Sequence, residues 1–366
     1  MSKIEPLSVE LKQAFIHLIA KRTGLAMRER EQVNLNEKIF LRMKILKISS
    51  PGNYYQLLEG NRKDSQQEWQ QLVLMLTNLE SYFFRDKEQF KLLRNNILPE
   101  LIQRHHNDKT IRICSAGCST GEEPYSLAIL LKELIQDLEQ WHLIIVGIDI
   151  NQEALKKAET GIYRPWSFRG LDTETKQRYF RVIDNQYHLE QQIKQMVKFK
   201  TVNLVDDSFP RGNSELRNFD LIICRNVFIY FESLAISKVL EKFYCFLQPS
   251  GYLLTGHTEL YNQNLSKFKA TIFPESIAYQ RHITDANDLS LSEITSRHNY
   301  TSLDDFPLEF NSNNLDKLNI QMQRVAINLL GQLPPDTRIY KLGNLTAAEL
   351  ITKIKIALRE IDQETK

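Results

Sequence analysis

The sequence predicts a doubly wound α/β domain with a mainly parallel sheet, preceded by an all-helical domain. Short and nearly continuous apolar runs alternate with segments of helical spacing, and the runs lie at 111–115, 143–149, 197–202, 219–224 and 251–255. Such unbroken apolar strands are typical of a parallel sheet that helices cover on both faces. Residues 1–75 instead place apolar side chains at helical intervals, as at Phe15, Leu18 and Ile19.

One stretch interrupts this alternation of strands and helices. Residues 179–183 and 187–189 have the composition of strands, and Asp184 and Asn185 between them favour a tight turn. With a third extended candidate near Met196, they predict a small antiparallel β insertion at about 178–198. We therefore place the α/β domain at 76–283 and the insertion within it.

The chain becomes polar after the α/β domain. Residues 287–314 are rich in Ser, Asn, Asp and Thr, which predicts a linker over 284–340. Thr346, followed by Glu349, has the pattern of a capped helix start. We expect a C-terminal helix within 341–366.

Composition excludes several classes of function. The 47 Lys and Arg residues nearly balance the 45 Asp and Glu residues, so no overall charge favours nucleic acid or an anionic membrane. The sequence has no signal-peptide layout and no apolar run of roughly 18 residues, so we expect a cytoplasmic protein without membrane insertion. The four cysteines form no CxxC pair and His105 directly precedes His106, so we predict no metal site.

Two features at the strand ends indicate an adenosine-containing cofactor. The loop at 115–125 is rich in small residues, so its backbone can approach a ligand closely, although a simple tight turn would look the same. No lysine follows Gly121, which excludes a P-loop. Asp149 ends the second strand, where an acid can accept hydrogen bonds from both ribose hydroxyls. Its distance from the loop exceeds the roughly 20 residues of a dinucleotide fold, which disfavours a nicotinamide cofactor.

Three further segments bring polar or aromatic groups to the same edge of the sheet. Asn203 and Leu204 follow the third strand, where they could meet the edge and face of an adenine. Residues 225–231 follow the fourth strand, and residues 78–86 precede the sheet. Taken singly, each has a structural explanation, since Arg85 could simply pair with a neighbouring carboxylate.

Together these segments resemble the chemotaxis receptor glutamate methyltransferases, the CheR family. The likeness covers about residues 10–282, and the two most specific motifs are those at 115–126 and 224–231. The motifs are Tyr-Phe-Phe-Arg-Asp at 82–86, Ser-Ala-Gly-Cys-Ser-Thr-Gly-Glu-Glu-Pro-Tyr-Ser at 115–126, Asp-Ile at 149–150, Gly-Ile-Tyr at 161–163, Val-Asn-Leu at 202–204, Cys-Arg-Asn-Val at 224–227, Ile-Tyr-Phe at 229–231 and Gly-His-Thr-Glu at 256–259.

The resemblance implies a class I, Rossmann-like fold that binds S-adenosyl-L-methionine and releases S-adenosyl-L-homocysteine. The implied reaction is methyl-ester formation on glutamate side chains of methyl-accepting chemotaxis receptors. The implied cofactor contacts are Ser81, Arg85, Gly117, Glu123, Asp149, Asn203, Leu204, Arg225 and Asn226. Arg85 and Tyr230 would lie beside the transferred methyl group and are the candidate catalytic residues.

One segment departs from the family pattern. The family usually has Asn-Glu-Thr before its aromatic pair, whereas this chain has Leu79-Glu80-Ser81. The Ser81 hydroxyl can replace that of threonine, but Leu79 cannot donate a hydrogen bond as asparagine does. The departure therefore predicts a weaker contact with the cofactor through this segment.

The implied chemistry needs no general base. A glutamate carboxylate has an unperturbed pKa of about 4.3 and is already ionised at neutral pH. Catalysis would then rest mainly on positioning. We hypothesise that Arg85 holds the carboxylate of the substrate or of the cofactor by paired hydrogen bonds, and that the Tyr230 ring borders the sulfonium.

The N-terminal segment carries a local excess of basic residues. They are Lys12, Lys21, Arg22, Arg28, Arg30, Arg42, Lys44 and Lys47, and they could face an acidic receptor bundle or simply water. In some family members the small insertion captures a tethering peptide by strand addition. The turn at 184–186 lacks the extra glycine-containing residues associated with those members, so we predict no tethering. We expect a monomer.

Two other functions are compatible with this fold. One is a non-catalytic module that senses S-adenosylmethionine or its demethylated product and acts through the C-terminal extension. The other is methylation of a small molecule or nucleic acid, but the Asn/Asp-Pro-Pro-Tyr motif and a basic aromatic surface are both missing. The intact segment at 225–231 favours the protein methyltransferase.

Overall fold

The N-terminal part of the computed structural model consists of four helices, as predicted. The structure describes residues 7–206 and 216–282, together with 338–339, 345–346, 348–349 and 352. The four helices are α1 (Val9–Thr23), α2 (Glu29–Leu46), α3 (Pro51–Glu59) and α4 (Lys63–Leu76). They enclose one apolar cluster, in which Phe15, Ile39 and Tyr54 are fully buried.

A buried ion pair joins three of these helices. Arg42 on α2 donates to both carboxylate oxygens of Glu68 on α4, at 2.8 and 2.7 Å. The Tyr54 hydroxyl on α3 donates to the same carboxylate at 2.7 Å. The hydrogen bond to Glu68 raises the pKa of Arg42, and burial together with this carboxylate raises the pKa of Tyr54. Arg42 is therefore a core residue and contributes nothing to a basic surface.

Removing the carboxylate of Glu68 should destabilise the helical part of the protein. Glu68→Ala leaves the Arg42 charge buried without its partner, so we expect the free energy of unfolding to fall by about 3–5 kcal/mol. Urea unfolding followed by circular dichroism measures the change. Glu37→Ala, at an exposed position of α2, is the control and should leave the midpoint nearly unchanged. Equal midpoints for the two variants would contradict the assignment of the pair as a core interaction.

A seven-stranded sheet forms the second part of the molecule. Its strands, in spatial order, are β6 (Val197–Thr201), β2 (His142–Asp149), β1 (Thr110–Ala116), β7 (Phe219–Cys224), β8 (Leu247–Thr255), β10 (Ile277–Arg281) and β9 (Phe268–Ile272). The first five are parallel and were predicted from their apolar runs. β10 runs antiparallel to β8 and to β9, and this edge pair was not predicted. Phe268 is the one buried residue of β9, and Lys269 and Thr271 interrupt its apolar positions, so the strand lacks a continuous apolar run.

Helices cover both faces of this sheet. They include α5 (Lys87–Leu92), α6 (Leu98–Arg104), α7 (Glu122–Leu134), α8 (Gln152–Thr160) and α11 (Ser233–Phe246). Successive residues of β7 alternate between two apolar clusters, so that Leu221 and Ile223 belong to one and Ile222 and Cys224 to the other. β1 pairs with β2 on one side and with β7 on the other, so the strand order reverses at β1. Ligands bind at such a reversal, outside the carboxyl ends of the strands.

A separate three-stranded antiparallel sheet has the order β3 (Ile162–Tyr163), β5 (Gln186–Leu189) and β4 (Phe180–Ile183). Asp184 and Asn185 form the predicted two-residue turn with φ of 50° and 59°, the signs that a twisted hairpin requires. The predicted third strand of the insertion near Met196 was wrong, because Met196 ends the short helix Gln191–Gln195 and the residues after it form β6 of the main sheet. β3 takes its place. The absence of peptide tethering stays a prediction.

Short helices complete the connections around the small sheet. A 3₁₀ turn covers Pro165–Phe168, α9 covers Thr173–Tyr179 and α10 covers Gln191–Gln195. Among the residues that the structure describes, no helix is both long and apolar enough to span a membrane.

The predicted linker at 284–340 and the C-terminal helix at 341–366 lie largely outside the described residues. One predicted feature is visible at the described positions. The Glu349 N–H donates to the Thr346 hydroxyl at 3.2 Å, and the Thr346 N–H donates to the Glu349 carboxylate at 2.7 Å. These are the reciprocal hydrogen bonds of a capping box. The domain boundaries themselves stay predictions.

Candidate active site

A cavity of about 410 Å³ lies at the carboxyl ends of the parallel strands, against the N-terminal helices. All the predicted site residues line it: Ser81, Arg85, Gly117, Glu123, Asp149, Asn203, Leu204, Arg225, Asn226 and Tyr230. The sequence reasoning missed the contributions from the N-terminal part, among them Thr23, Leu25, Glu31 and Lys38. No local sequence signal marks those residues, since only the tertiary arrangement brings them here.

The loop between β1 and α7 brings its backbone close to the cavity. Gly117 has φ of 73°, and a Cβ at this position would lie 2.3 Å from Cγ2 of Val227. The N–H groups of Gly117 and Cys118 donate to the carbonyl of Ile148, at 2.8 and 3.0 Å, and fasten the loop to the end of β2. Gly117 is therefore required by both conformation and space.

Asp149 is fixed at the end of β2 by two backbone amides. Its Oδ2 accepts from the Ser119 N–H and its Oδ1 from the Asn151 N–H, each at 2.8 Å. Burial raises the pKa of Asp149, and these amides oppose that effect. Each oxygen keeps a further lone pair, so the oriented carboxylate can accept from a pair of ligand hydroxyls.

Glu123 and Arg225 form the floor of the cavity as an ion pair. Arg225 Nε donates to Glu123 Oε2 at 2.8 Å, and its Nη1 donates to the Gln89 side-chain carbonyl at 2.9 Å. The other carboxylate oxygen of Glu123 accepts from the Ser115 hydroxyl at 2.8 Å. Because Arg225 is only 6% exposed, these partners hold its charge in place. Gln89 was not predicted as part of this network.

The two candidate catalytic residues line the same cavity from different elements. The Arg85 guanidinium donates to the backbone carbonyl of Glu80 at 3.0 Å and lies 5.6 Å from the centre of the Tyr82 ring. The Tyr230 hydroxyl accepts from the Asn78 side chain at 3.0 Å. Tyr230 is 38% exposed, so a ligand in the cavity can reach its side chain.

The structure clarifies the departure at Leu79. Asn78 lines the cavity, whereas Leu79 is not among the lining residues and its carbonyl accepts from the Ser119 hydroxyl at 3.1 Å. An asparagine from this segment therefore does reach the site, one position earlier than the family pattern. The Asn203 side chain is used within the protein, because it donates to the Arg22 carbonyl at 2.7 Å and accepts from the Val205 N–H. The carbonyls of Asn203 and Leu204 also accept hydrogen bonds within the protein, from the Asp206 N–H and from Lys242, while the Leu204 residue lines the cavity.

The connection between α1 and α2 forms one wall of the cavity and pairs with the segment that carries Tyr230. Leu25 forms an antiparallel bridge with Phe231, and the Ala26 N–H donates to the Tyr230 carbonyl at 2.7 Å. The Glu232 N–H donates to the Gly24 carbonyl at 2.9 Å. Tyr230 is thus held in part by the N-terminal helices.

The lining residues fit S-adenosylmethionine. The cavity volume lies within the range of about 300–1,000 Å³ that is common for small-molecule sites. Glu31 lines the cavity, and its buried Oε2 has no hydrogen-bond partner within the described part of the protein. A ligand with hydroxyl, amino and ammonium donors supplies what such a carboxylate lacks. No group of acidic, histidine or cysteine side chains among the described residues could hold a metal ion.

A doubly wound sheet with a small-molecule cavity at its switch point is the architecture of S-adenosylmethionine-dependent methyltransferases, among other nucleotide-binding proteins, and the family match identifies the class. Residues 79–277 match the family described as CheR methyltransferase, SAM binding domain. A chemotaxis protein methyltransferase of Borreliella burgdorferi is 32% identical over 253 residues, which cover 68% of this chain and 87% of the relative.

Two further relatives give the same picture. Chemotaxis protein methyltransferase 2 of Vibrio cholerae is 32% identical over 262 residues, covering 71% of this chain and 89% of the relative. The Escherichia coli chemotaxis protein methyltransferase is 30% identical over 256 residues, covering 69% and 84%. The chain belongs to the CheR methyltransferase family, and its cofactor is S-adenosylmethionine.

Proposed function

We propose that this methyltransferase esterifies glutamate side chains on the cytoplasmic domain of methyl-accepting chemotaxis receptors. The observation that carries the proposal is the convergence of Arg85 and Tyr230 on one cavity, in which no histidine of the described segments lies. Cys118 lines the cavity, but burial raises the pKa of its thiol, so it stays protonated and is a poor nucleophile. A site of this kind suits an acceptor that is already ionised, such as a carboxylate.

The proposed reaction forms one bond and breaks one bond in line. When bound, S-adenosylmethionine supplies a methyl group on a sulfonium sulfur that departs as a neutral thioether. A lone pair of the glutamate carboxylate forms the new O–C bond, the S–C electron pair returns to sulfur, and no proton moves. Arg85 would orient a carboxylate through its planar fork, and the Tyr230 ring would favour the positive charge beside it.

The same cavity walls explain how the cofactor would be oriented. Asp149 would accept from the ribose hydroxyls, and Leu204, which lines the cavity after β6, would border the adenine. The paired Glu123 and Arg225 would lie toward the methionyl end, where they complement an ammonium and a carboxylate. These roles follow from lining position and hydrogen-bonding capacity, and each can be tested by substitution.

The receptor would dock on the N-terminal helices, on the side that borders the cavity. Lys38 of α2 lines the cavity, and Lys44 and Lys47 are exposed further along the chain. Arg22 and Arg28 are engaged with backbone carbonyls, at Gly60 and Ile229 respectively. The proposed docking surface is therefore the exposed part of α2 next to Lys38, which borders the cavity and would face an acidic helical bundle.

A non-catalytic sensor of S-adenosylmethionine has less support. Two features favour a sensor, the missing donor at Leu79 and the C-terminal extension. The first is offset because Asn78 supplies a side-chain amide to the cavity from the neighbouring position.

Receptor methylation in vitro tests the proposed function. Incubation with methyl-labelled S-adenosylmethionine and a receptor cytoplasmic domain should transfer label that mild alkali releases as volatile methanol. Methyl esters hydrolyse under these conditions, whereas N-methyl and C-methyl groups do not. A receptor domain with its acceptor glutamates changed to alanine is the matched control and should remain unlabelled. Base-stable label would contradict esterification.

A further inference from the structure

The turn that follows β8, at residues 256–259, contacts both segments that carry the proposed catalytic residues. Its sequence is Gly-His-Thr-Glu, and neither His257 nor Glu259 lines the cavity. His257 reaches the loop of Arg85, and Glu259 reaches the segment that precedes Tyr230. These two loops are far apart in the chain, so the turn is a place where their relative position can be set.

The first contact fixes the backbone beside Arg85. His257 Nε2 lies 2.7 Å from Asp86 Oδ2, and the other carboxylate oxygen accepts from the Gln89 N–H at 3.3 Å. Asp86 and Phe84, on either side of Arg85, both have positive φ, at 68° and 53°. Residues other than glycine seldom adopt this conformation, so contacts from outside the loop must hold it.

The charge state of Asp86 defines the direction of this hydrogen bond. Burial on its own would raise the pKa of Asp86, but the hydrogen bond and charge of His257, with the charge of Arg225, hold it below its ordinary value. Asp86 is therefore ionised at neutral pH and accepts, so His257 must donate from Nε2. On its other side the His257 ring faces Ser276, whose hydroxyl lies 3.4 Å from Nδ1.

The second contact fixes the backbone of the segment that precedes Tyr230. Glu259 is 7% exposed, and its carboxylate accepts from the Gly256 N–H at 2.7 Å and from the Ile229 N–H at 3.2 Å. Burial raises its pKa, while the backbone amides of Gly256, Ile229, Asn226 and Val227 act in the opposite direction. Asn226 has φ of 59°, so this segment also needs external support.

We propose that His257 and Glu259 are positioning residues that set Arg85 and Tyr230 at the separation needed for methyl transfer. The proposal rests on the proposed function, in which those two side chains flank the reacting methyl group. Two contacts made by one short turn leave the two loops little freedom to move apart. A misplacement of about 1 Å in such a site can cost 10²-fold in rate.

The His257 contact is tested by a donor-retaining and a donor-lacking substitution. His257→Gln can still donate to Asp86, whereas His257→Phe fills similar space without a donor. We expect His257→Phe to lower kcat for receptor methylation by about 10- to 100-fold, and His257→Gln to recover most of it. His142→Phe, at an exposed position of β2, is the control and should leave kcat unchanged. Equal losses in the Phe and Gln variants, or none in either, would overturn the proposal for this residue.

The Glu259 contact is tested by Glu259→Gln, which keeps the shape but turns an amide NH₂ toward backbone donors. We expect kcat to fall by at least about tenfold, while calorimetric affinity for S-adenosylhomocysteine changes less than threefold. Glu232→Gln, whose side chain is exposed in the neighbouring segment, is the matched control. A parallel loss of affinity and kcat would indicate a general structural role and would overturn the proposal.

A readout independent of receptor methylation separates this proposal from the proposed function. Amide hydrogen exchange should become faster at 82–86 in His257→Phe and at 226–230 in Glu259→Gln, without a change in the helices of the N-terminal part. An inactive wild-type enzyme with these exchange changes would count against the proposed function but not against the two contacts. Unchanged exchange at both segments would overturn the positioning roles whatever the activity.

Discussion

Arg85→Ala should lower kcat/KM for receptor methylation by about 10²–10³-fold, the loss typical of removing one preorganised charged donor from an active site. The Arg85 guanidinium lines the cavity and makes one hydrogen bond to the Glu80 carbonyl. Its remaining N–H groups are available to a carboxylate. Alanine removes both the charge and the planar fork. The Arg169 guanidinium also lies over the Tyr82 ring, 3.9 Å from its centre, but it pairs with the Glu80 carboxylate and does not line the cavity.

Replacing Arg85 with lysine distinguishes the contribution of its positive charge from that of its hydrogen-bond geometry. Arg85→Lys keeps the charge but loses the two parallel donors, so we expect an activity between that of alanine and wild type. Arg164→Ala, at an exposed position before the 3₁₀ turn, is the matched control for loss of a positive charge. Initial rates with labelled S-adenosylmethionine measure all four proteins. An Arg85→Ala variant that methylates receptor at the wild-type rate would exclude the proposed role.

Asp149→Asn should weaken binding of S-adenosylhomocysteine by roughly 100-fold, measured by titration calorimetry. Hydrogen bonds to a charged acceptor contribute about 1.5–3 kcal/mol each, against about 1 kcal/mol for neutral pairs. Asparagine also turns one NH₂ group toward the backbone donors of Ser119 or Asn151. Glu159→Gln, exposed in the last turn of α8, removes a negative charge without touching the cavity and should bind normally.

The pH dependence of binding gives the Asp149 prediction a second measurement. Burial raises the pKa of Asp149 above its ordinary value of 3.8. The ionised form is the better acceptor, so affinity should be full at neutral pH and should fall as the pH drops through this raised pKa. The Asp149→Asn variant has no carboxyl group at this position, so its affinity should not fall with pH over this range. A slope of equal size in the variant would assign the titration to another group.

The parallel part of the sheet and the residues at its strand ends could be predicted because each depends on a short segment of sequence. An unbroken apolar run such as 219–224 indicates a strand, and polar residues directly after it lie at the ligand-binding edge. Asp149 and Arg225 were placed in this way, and the structure brings them to one cavity.

The incorrect predictions concern features that depend on contacts between elements distant in the sequence. Met196 was predicted to belong to the third strand of the small sheet, but it ends α10, and β3 from earlier in the chain pairs with β5 instead. Arg42 was counted with the basic surface residues, although Glu68 from another helix keeps it in the core. Glu31 and Lys38 line the cavity from α2, and no motif in their own neighbourhood marks them. Leu79 led to the prediction of a weaker contact with the cofactor. Only the path of the backbone shows that Asn78, one position earlier, reaches the cavity.

The pairing of Gly24–Ala26 with Tyr230–Glu232 has a consequence for the smallest unit that can act as an enzyme. The family match begins at residue 79, after the four helices. A fragment that begins there would keep the sheet and the loops, but the backbone carbonyl of Tyr230 and the N–H of Glu232 would lose their partners. Glu31 and Lys38 would leave the cavity wall as well. The helices that would receive the substrate therefore also complete the catalytic centre, and engineering of this enzyme must treat the two parts as one.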